Sequence, residues 1–164
     1  MLDEIITPRL IIRNIQPNDV SSLIRLWTNK QVRKYLGGPI EQVKAEKRAN
    51  NYVGKEGHFC ITDLHGAEIL GLCSIDKYRT GEIEVSYELL PKAWGKGFGR
   101  EAVLAMVKWG FENMNIDHII AVTQTQNHKS RKLLESIGML AIDEFVEYNE
   151  SQTKYTINPN DISF

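Results

Sequence analysis

The chain has 164 residues, and a chain of this size can bury about 70% of the surface that its unfolded form exposes. Its composition, 42% hydrophobic and 25% charged, excludes a disordered chain, a collagen-like repeat and a disulfide scaffold. The formal net charge is −1, so no overall positive field attracts nucleic acid or an anionic membrane.

The cysteines and histidines do not have the spacing of metal-binding or redox motifs. Cys60 and Cys73 lie in apolar stretches, and their spacing fits neither a zinc site nor a redox CxxC motif. The histidines form no HxxxH or HExxH pair, so no metal site is predicted. The N-terminal segment lacks the features of a signal peptide, and no apolar run approaches the roughly 18 residues of a membrane span. We therefore expect a cytoplasmic protein.

The first third of the chain predicts one strand followed by helices. Residues 9–15 are rich in β-branched side chains, which favours a strand. Apolar side chains then recur at helical spacing over 20–27. We expect a short helix over 30–36, ended by a Gly-Gly-Pro sequence, and a well-solvated helix over 40–54.

The pattern then changes from helical to strand periodicity. Two apolar runs, 58–64 and 68–76, flank a predicted hairpin turn at 65–67. Residues 82–90 alternate polar and apolar side chains and give the clearest strand of the chain. Pro91 ends this strand because proline cannot donate to a sheet ladder.

Helical and strand patterns alternate in the remainder, and a polar turn at 149–152 joins the last two strands. The whole pattern predicts an α/β fold in which a mainly antiparallel meander precedes a β-loop-α-β-α-β-β unit. The predicted elements of this remainder are a helix over 99–114, a strand over 117–126, a helix over 130–138 and strands over 139–148 and 153–158.

A glycine-rich turn joins the strand 82–90 to the next helix. Alternating glycines permit positive φ angles and a close approach of the backbone to a ligand. The helix that follows carries unpaired N–H groups and a partial positive charge at its N-terminus. The turn therefore predicts an anion cradle, most often one for phosphates. Its glycines are Gly95, Gly97 and Gly99, and the basic residues of the same turn are Lys92, Lys96 and Arg100.

Two common nucleotide-binding motifs fit this turn poorly. A Walker loop requires Gly-Lys-Ser/Thr, which the sequence lacks. A Rossmann fingerprint requires glycine where Arg100 stands, and the preceding strand alternates instead of forming an apolar run.

The turn is more similar to the phosphate-binding loop of a different family. Trp94-Gly95-Lys96-Gly97-Phe98-Gly99 resembles the Q/R-x-x-G-x-G/A pyrophosphate loop of the GNAT superfamily of N-acetyltransferases. The longer phrase over 87–97 resembles the form found in the RimJ/RimL-like branch, the ribosomal-protein N-terminal acetyltransferase type, where tryptophan also replaces the first Gln or Arg. Four further segments resemble the branch motifs R-L-x-L-R, I/L-G-x, N-x-x-S and x-G-F, in that order: Arg9-Leu10-Ile11-Ile12-Arg13, Gly71-Leu72-Cys73, Asn127-His128-Lys129-Ser130 and Ile137-Gly138-Met139.

This resemblance implies one GNAT-like domain over residues 1–164. The implied fold is a mixed, mostly antiparallel sheet of about six to seven strands with about four to five flanking helices. The sheet would splay between the strands 82–90 and 117–126. The implied reaction moves an acetyl group from acetyl-CoA to a primary amine by direct attack, without a metal.

The resemblance also implies where acetyl-CoA binds. The pyrophosphate would lie on the amides of 95–100, and the pantetheine arm would follow the strand edge in the splay. It leaves open which of Lys129, Arg131 and Lys132 contacts the 3′-phosphate. The implied acetyl-CoA-binding residues are Leu89, Leu90, Trp94, Gly95, Lys96, Gly97, Phe98, Gly99, Arg100, Asn127 and Ser130.

Acetyl transfer has two proton steps, because the attacking amine loses a proton and the departing thiolate gains one. By resemblance the base is Glu84, a residue of the strand face that also carries Glu82 and Glu88. Glu88 and an ordered water are the alternatives. Leu134 stands where many members carry a tyrosine acid, and the resemblance assigns that role to Ser130, whose hydroxyl can donate to the developing thiolate.

The amine acceptor is the least determined part of the interpretation. We expect a protein or peptide N-terminal α-amine, bound by residues of 20–58 and the 149–152 turn. The alternatives are a small-molecule amine, such as a polyamine, an amino acid or an antibiotic, and a sensor that binds acyl-CoA without turnover. We expect no nucleic-acid or membrane partner, and the sequence does not distinguish a monomer from a homodimer.

Overall fold

The computed structural model describes residues 3–163, and eight strands in this range form one sheet in the order β1-β2-β3-β4-β5-β6-β8-β7. No helix in the same range is long and apolar enough to cross a membrane. The strands are β1 (Ile5–Ile6), β2 (Leu10–Asn14), β3 (His58–Asp63), β4 (Ile69–Lys77), β5 (Ile83–Leu89), β6 (Ile119–Gln124), β7 (Leu140–Glu147) and β8 (Glu150–Ile157). The helices are α1 (Val20–Thr28), α2 (Gln42–Tyr52), α3 (Phe98–Asn113) and α4 (His128–Ser136).

Each face of the sheet is covered by a pair of helices. On one face, α3 and α4 pack on the larger apolar core, to which β5 contributes Val85 and Leu89. On the other face, α1 and α2 pack on a smaller core that includes Leu72 of β4. Alternation along a strand therefore decides which pair of helices a side chain meets.

The sheet opens between β5 and β6. The first five strands are antiparallel neighbours, whereas β5 and β6 are parallel and pair only at Glu84 with Ile120. Beyond that pair, β6 bonds along its whole length to β8. The predicted α/β fold and its splay are thus confirmed, with departures in the segment 30–36, in the number of strands and in the last turn.

The segment 30–36 is not the predicted short helix. Hydrogen-bonded turns occupy it, with Arg33 donating to the Asn29 carbonyl and Leu36 to the Arg33 carbonyl. Gly37 and Gly38 follow with φ angles of +90° and +86°, which a helix cannot continue through. The short strand β1 is an addition that the sequence pattern did not predict.

The last hairpin turns two residues earlier than predicted. Tyr148 and Asn149 form the turn, with φ angles of 54° and 60°, as in a two-residue type I′ turn. Residues 150–152 therefore belong to β8 instead of a loop, and Gln152 pairs with Phe145.

Candidate active site

The glycines after β5 serve different physical purposes. Gly97 is the residue before α3 and has a φ angle of +79°, a region that β-branched residues avoid. Gly99 lies in the first turn, where an added Cβ would come within 2.9 Å of Leu133 and 3.2 Å of Tyr87. Glu101 makes the first helical hydrogen bond, to the Gly97 carbonyl, so the amides of 98–100 have no intrahelical acceptor. The loop is therefore built as an anion cradle.

An arginine from the start of the chain, which the sequence analysis gave no role, holds this loop. The Arg9 guanidinium donates to the Lys96 carbonyl at 2.6 Å and pairs with Glu101 at 2.7 Å. It also lies over the Phe98 ring, 4.7 Å from the centroid. The R-L-x-L-R resemblance marked Arg9, but nothing in the sequence indicated its partners.

Two of the basic side chains of the turn have partners outside it. Lys92 pairs with Glu68 at 2.9 Å, and the Arg100 guanidinium donates to the hydroxyl and carbonyl of Ser136 at the end of α4. Lys96 contributes its carbonyl to Arg9. Arg9 therefore adds a positive charge next to the loop that does not come from the turn itself.

Among the three basic residues of α4, one faces the loop. Lys129 lies over the Trp94 ring, with Nζ 6.0 Å from the centroid. Arg131 is engaged elsewhere, donating to the Tyr155 hydroxyl and the Thr125 carbonyl. Lys132 is exposed. The geometry favours Lys129 as the residue that can meet a phosphate near Trp94.

Part of the backbone at the end of β5 is hydrogen-bonded within the protein. Leu90 donates its N–H to the Leu70 carbonyl of β4, so the backbone of the preceding residue, Leu89, points towards the splay. The Leu89 carbonyl accepts a hydrogen bond from the Trp94 indole at 2.9 Å. Of the two predicted arm-binding leucines, Leu89 is the one that presents its backbone to the gap.

The start of α4 carries Asn127 and Ser130. Asn127 caps the helix, because its side-chain oxygen accepts from the Ser130 N–H at 3.2 Å. The Ser130 side chain is buried and lies near the Tyr87 hydroxyl of β5. Burial raises the pKa of Tyr87, and the neighbouring Ser130 hydroxyl opposes this rise. Leu134 is buried in the core, so no side chain replaces the tyrosine there.

Glu84 lies at the last pair before the splay. Burial raises its pKa to about 7, although a hydrogen bond from the Val122 backbone opposes the shift. The nearby carboxylates of Glu147 and Asp76 raise it further. A carboxyl with a pKa near neutrality can accept and return a proton at physiological pH.

Glu88 occupies the same strand face but has fixed partners. Its carboxylate accepts from the Trp27 indole at 2.8 Å and pairs with Arg33 at 3.4 Å. Glu82, at the other end of the strand, is bonded to Lys154, Thr80 and His118, and these bonds lower its pKa to about 2. Glu82 and Glu88 are therefore held by fixed side-chain partners, and Glu84 is the glutamate of this face whose pKa is raised towards neutrality.

Within the described range, neither the cysteines nor the side chains of metal-ligand type add a reactive group to this site. Cys60 and Cys73 are buried, and burial raises the pKa of both thiols, which disfavours the nucleophilic thiolate. Within residues 3–163, no group of three or more His, Cys, Asp or Glu side chains is placed to hold a metal ion.

Comparison with known proteins identifies the family. The model described as "Acetyltransferase (GNAT) domain" matches residues 9–140, and the chain belongs to this family. It is an acetyl-CoA-dependent acyltransferase. An N-acetyltransferase of Bacillus licheniformis called p20, itself uncharacterized, is 29% identical over 146 residues, which are 84% of this chain and 82% of that protein.

Solved structures share the fold closely. A GNAT-family acetyltransferase of Bacillus anthracis matches with a TM-score of 0.86 and 26% identity, covering 95% of this chain and 98% of that one. Two more distant structures share the fold. A spermidine N-acetyltransferase of Vibrio cholerae with CoA and spermine has a TM-score of 0.80 at 20% identity, covering 94% and 98% of the two chains. RimL, a ribosomal L7/L12 alpha-N-protein acetyltransferase, has a TM-score of 0.80 at 16% identity, covering 96% and 95%.

Proposed function

We propose that this acetyltransferase acts on the N-terminal α-amine of a peptide or protein. The environment of Glu84 carries the proposal, because a carboxyl with a pKa of about 7 is still a far weaker base than a lysine amine, which titrates near 10.4. An α-amine titrates near pH 7.7–8.0 and a lysine amine near 10.4, so at neutral pH the neutral form is roughly 300-fold more abundant for the α-amine. An acceptor of this kind requires little deprotonation by Glu84.

The proposed acetyl-CoA site uses the splay and the loop. The pyrophosphate lies on the free amides of 98–100, and the pantetheine arm follows the backbone of Leu89 in the gap beside β5. The side-chain amide of Asn127 can donate to the arm while its oxygen caps α4. Lys129 is our candidate for the 3′-phosphate, because it already lies beside Trp94.

The proposed chemistry is a direct attack. The neutral amine nitrogen adds to the thioester carbon, its proton passes to Glu84, and the carbon–sulfur bond then breaks. Ser130 donates a hydrogen bond to the departing sulfur, the thiolate takes one proton from water to leave as the thiol of CoA, and Glu84 returns the amine proton to water, so that no net proton is gained or lost. The Ser130 hydroxyl can donate in this way and still accept a hydrogen bond from the neighbouring Tyr87 hydroxyl. No acyl-enzyme is needed, which agrees with the buried, unreactive state of Cys60 and Cys73.

Helix α2 supports a polypeptide acceptor over a polycation. Arg48 lies over the Trp27 ring, 4.5 Å from its centroid, and Trp27 in turn contacts Glu88 on the Glu84-bearing face. The same side of the helix presents further cations that repel polyamines and attract carboxylates. These side chains are Lys44 and Lys47, and Lys55, which follows the end of α2, lies over the Tyr52 ring beside them.

One observation favours a second candidate, a small polyamine. The carboxylates of Asp76 and Glu147 lie close enough to Glu84 to raise its pKa, and they would attract a second ammonium group of the acceptor. The shared fold of the spermidine acetyltransferase fits this alternative.

The deciding experiment measures the release of CoA with a panel of acceptors. It contains peptides with free and with blocked N-termini, both with lysine, beside polyamines and aminoglycosides. Turnover of free N-terminal peptides alone supports the proposal. Acetylation of blocked peptides, or a kcat/KM about tenfold higher for a small amine, rejects it. Binding of CoA without release from any acceptor would instead indicate a sensor.

A further inference from the structure

The loop before α3 is held in place by a residue more than 80 positions away in the sequence. Arg9 touches it at three points: the Lys96 carbonyl at 2.6 Å, the Phe98 ring at 4.7 Å, and the space beside Gly97, where an added Cβ would lie 3.2 Å from Nη2. No other basic side chain in the described range makes comparable contacts with the loop.

The guanidinium is itself fixed by Glu101. That carboxylate accepts from the Arg9 Nε at 2.7 Å and from the Arg9 backbone N–H at 2.8 Å. Thr7 adds a third hydrogen bond at 2.7 Å. Burial opposes ionisation of Glu101, but these hydrogen bonds outweigh it and lower its pKa. The Arg9 Nε is thus bonded to the first turn of α3, and its Nη1 bonds the loop.

The contact with Lys96 sets the direction of a backbone amide. In a planar trans peptide, the carbonyl oxygen and the following N–H point in opposite directions. Because Arg9 holds the Lys96 oxygen on its own side, the Gly97 N–H is directed away from Arg9. The high conformational freedom of glycine leaves this orientation poorly fixed without an outside contact.

We propose that Arg9 is a positioning residue for acetyl-CoA, which orients the loop amides towards the pyrophosphate. This inference rests on the proposed placement of the pyrophosphate on this loop, where the Gly97 N–H immediately precedes the free amides of 98–100, and it does not depend on the acceptor. A lysine at this position would keep the charge but could not bond the Lys96 carbonyl and Glu101 together, since it lacks the planar fork of arginine.

The test compares acetyl-CoA with S-acetylpantetheine, which carries the same thioester but no pyrophosphate. We expect Arg9→Gln and Arg9→Lys to lower kcat/KM for acetyl-CoA by about 10- to 100-fold, as expected for a lost hydrogen bond to a charged group. With S-acetylpantetheine the change should stay below about threefold. Calorimetry with CoA should show the same loss as acetyl-CoA kinetics. Lys108→Gln is the control, because it removes one positive charge from α3 about 15 Å further along the helix.

Each outcome decides the proposal. An equal loss with both thioesters means that Arg9 only stabilises the fold, and full activity of Arg9→Lys means that charge alone matters. Either result overturns the positioning role. If Arg9→Gln does not fold by circular dichroism, the Arg9→Lys comparison still decides. Failure of the pyrophosphate placement is recognised separately, because Gly97→Val would then also leave CoA binding intact.

Discussion

The loop over 94–100 follows β5, the strand that carries Glu84, but the loop and the Glu84 face of the strand act through different atoms. The loop presents backbone amides, and its shape depends on the φ angle of Gly97 and on the grip of Arg9. The β5 face presents carboxylates, and their chemistry depends on what surrounds each one. Glu88 has a guanidinium and an indole as partners, whereas Glu84 has a backbone N–H and two carboxylates nearby.

This difference predicts two kinds of response to mutation. A loop that binds through its backbone amides loses binding completely on one substitution, because a single added carbon changes the backbone conformation. A carboxylate responds in a graded way, because solvation and neighbouring charges shift its pKa by degrees. The predictions that follow are ordered from the abrupt response to the most graded one.

The largest effect is expected for Gly97→Val. A β-branched side chain disfavours the φ angle of +79° and enters the space beside Arg9. Calorimetry should detect no binding of acetyl-CoA, while circular dichroism shows an intact fold. Gly66→Val is the matched control, because Gly66 has a φ angle of +68° in the β3–β4 turn with no atom within 4 Å of an added Cβ. Normal affinity in Gly97→Val would remove the pyrophosphate from this loop.

Ser130→Ala should cost about 10²–10³ in kcat, with a smaller change in KM for acetyl-CoA. A group that stabilises the departing sulfur acts chiefly in the transition state. The substitution isolates the hydroxyl, because the helix cap uses the backbone N–H of residue 130 and remains. Ser136→Ala on the same helix is the control for loss of a hydroxyl. Wild-type turnover of Ser130→Ala would restrict the residue to a structural role.

Glu84→Gln should remove the low-pH limb of the rate profile. The wild-type base is active when ionised, so its rate should rise as the pH passes about 7, and glutamine cannot accept the proton. The acceptor should be an amine that titrates well below pH 7, so that its own ionisation does not contribute. We expect a rate loss of about 10²-fold at pH 8, the lower end of what a general base contributes. Glu88→Gln is the comparison, and a profile flattened by that variant alone would move the base to Glu88.

The features that could be predicted are those encoded by residues close together in the sequence. The glycines and the alternation of β5 are signals within a few residues, and they located the loop and the strand, whereas Ser130 was assigned by resemblance. The partners of those residues come from elsewhere: Arg9 is 92 residues from Glu101, and Trp27 is 61 residues from Glu88. A pattern along one chain does not encode such contacts, so it ranked Glu84 and Glu88 by resemblance alone. The turn at 148–149 was missed because neither residue is a glycine, the usual signal for positive φ.

The most graded effect, and the one that most directly separates the two glutamates, is on stability. A carboxyl whose pKa is raised from 4.5 to about 7 on folding binds more protons folded than unfolded between those values. Stability then falls as the pH rises from about 4.5 to 7, by at most on the order of 3 kcal/mol, and stays reduced above pH 7. Glu84→Gln should therefore raise the Tm relative to wild type at pH 8, with little difference at pH 4.

The same measurement on Glu88→Gln should give the opposite sign at pH 8, because that variant removes an ion pair with Arg33 and weakens the acceptor for Trp27. Thermal unfolding of both variants at the two pH values makes the comparison, and neither depends on an acceptor or on acetyl-CoA. A Tm for Glu84→Gln that is lowered equally at pH 4 and pH 8 would mean that folding does not raise the pKa of Glu84. The argument for it as a base near neutral pH would then fail together with the preference for an α-amine acceptor.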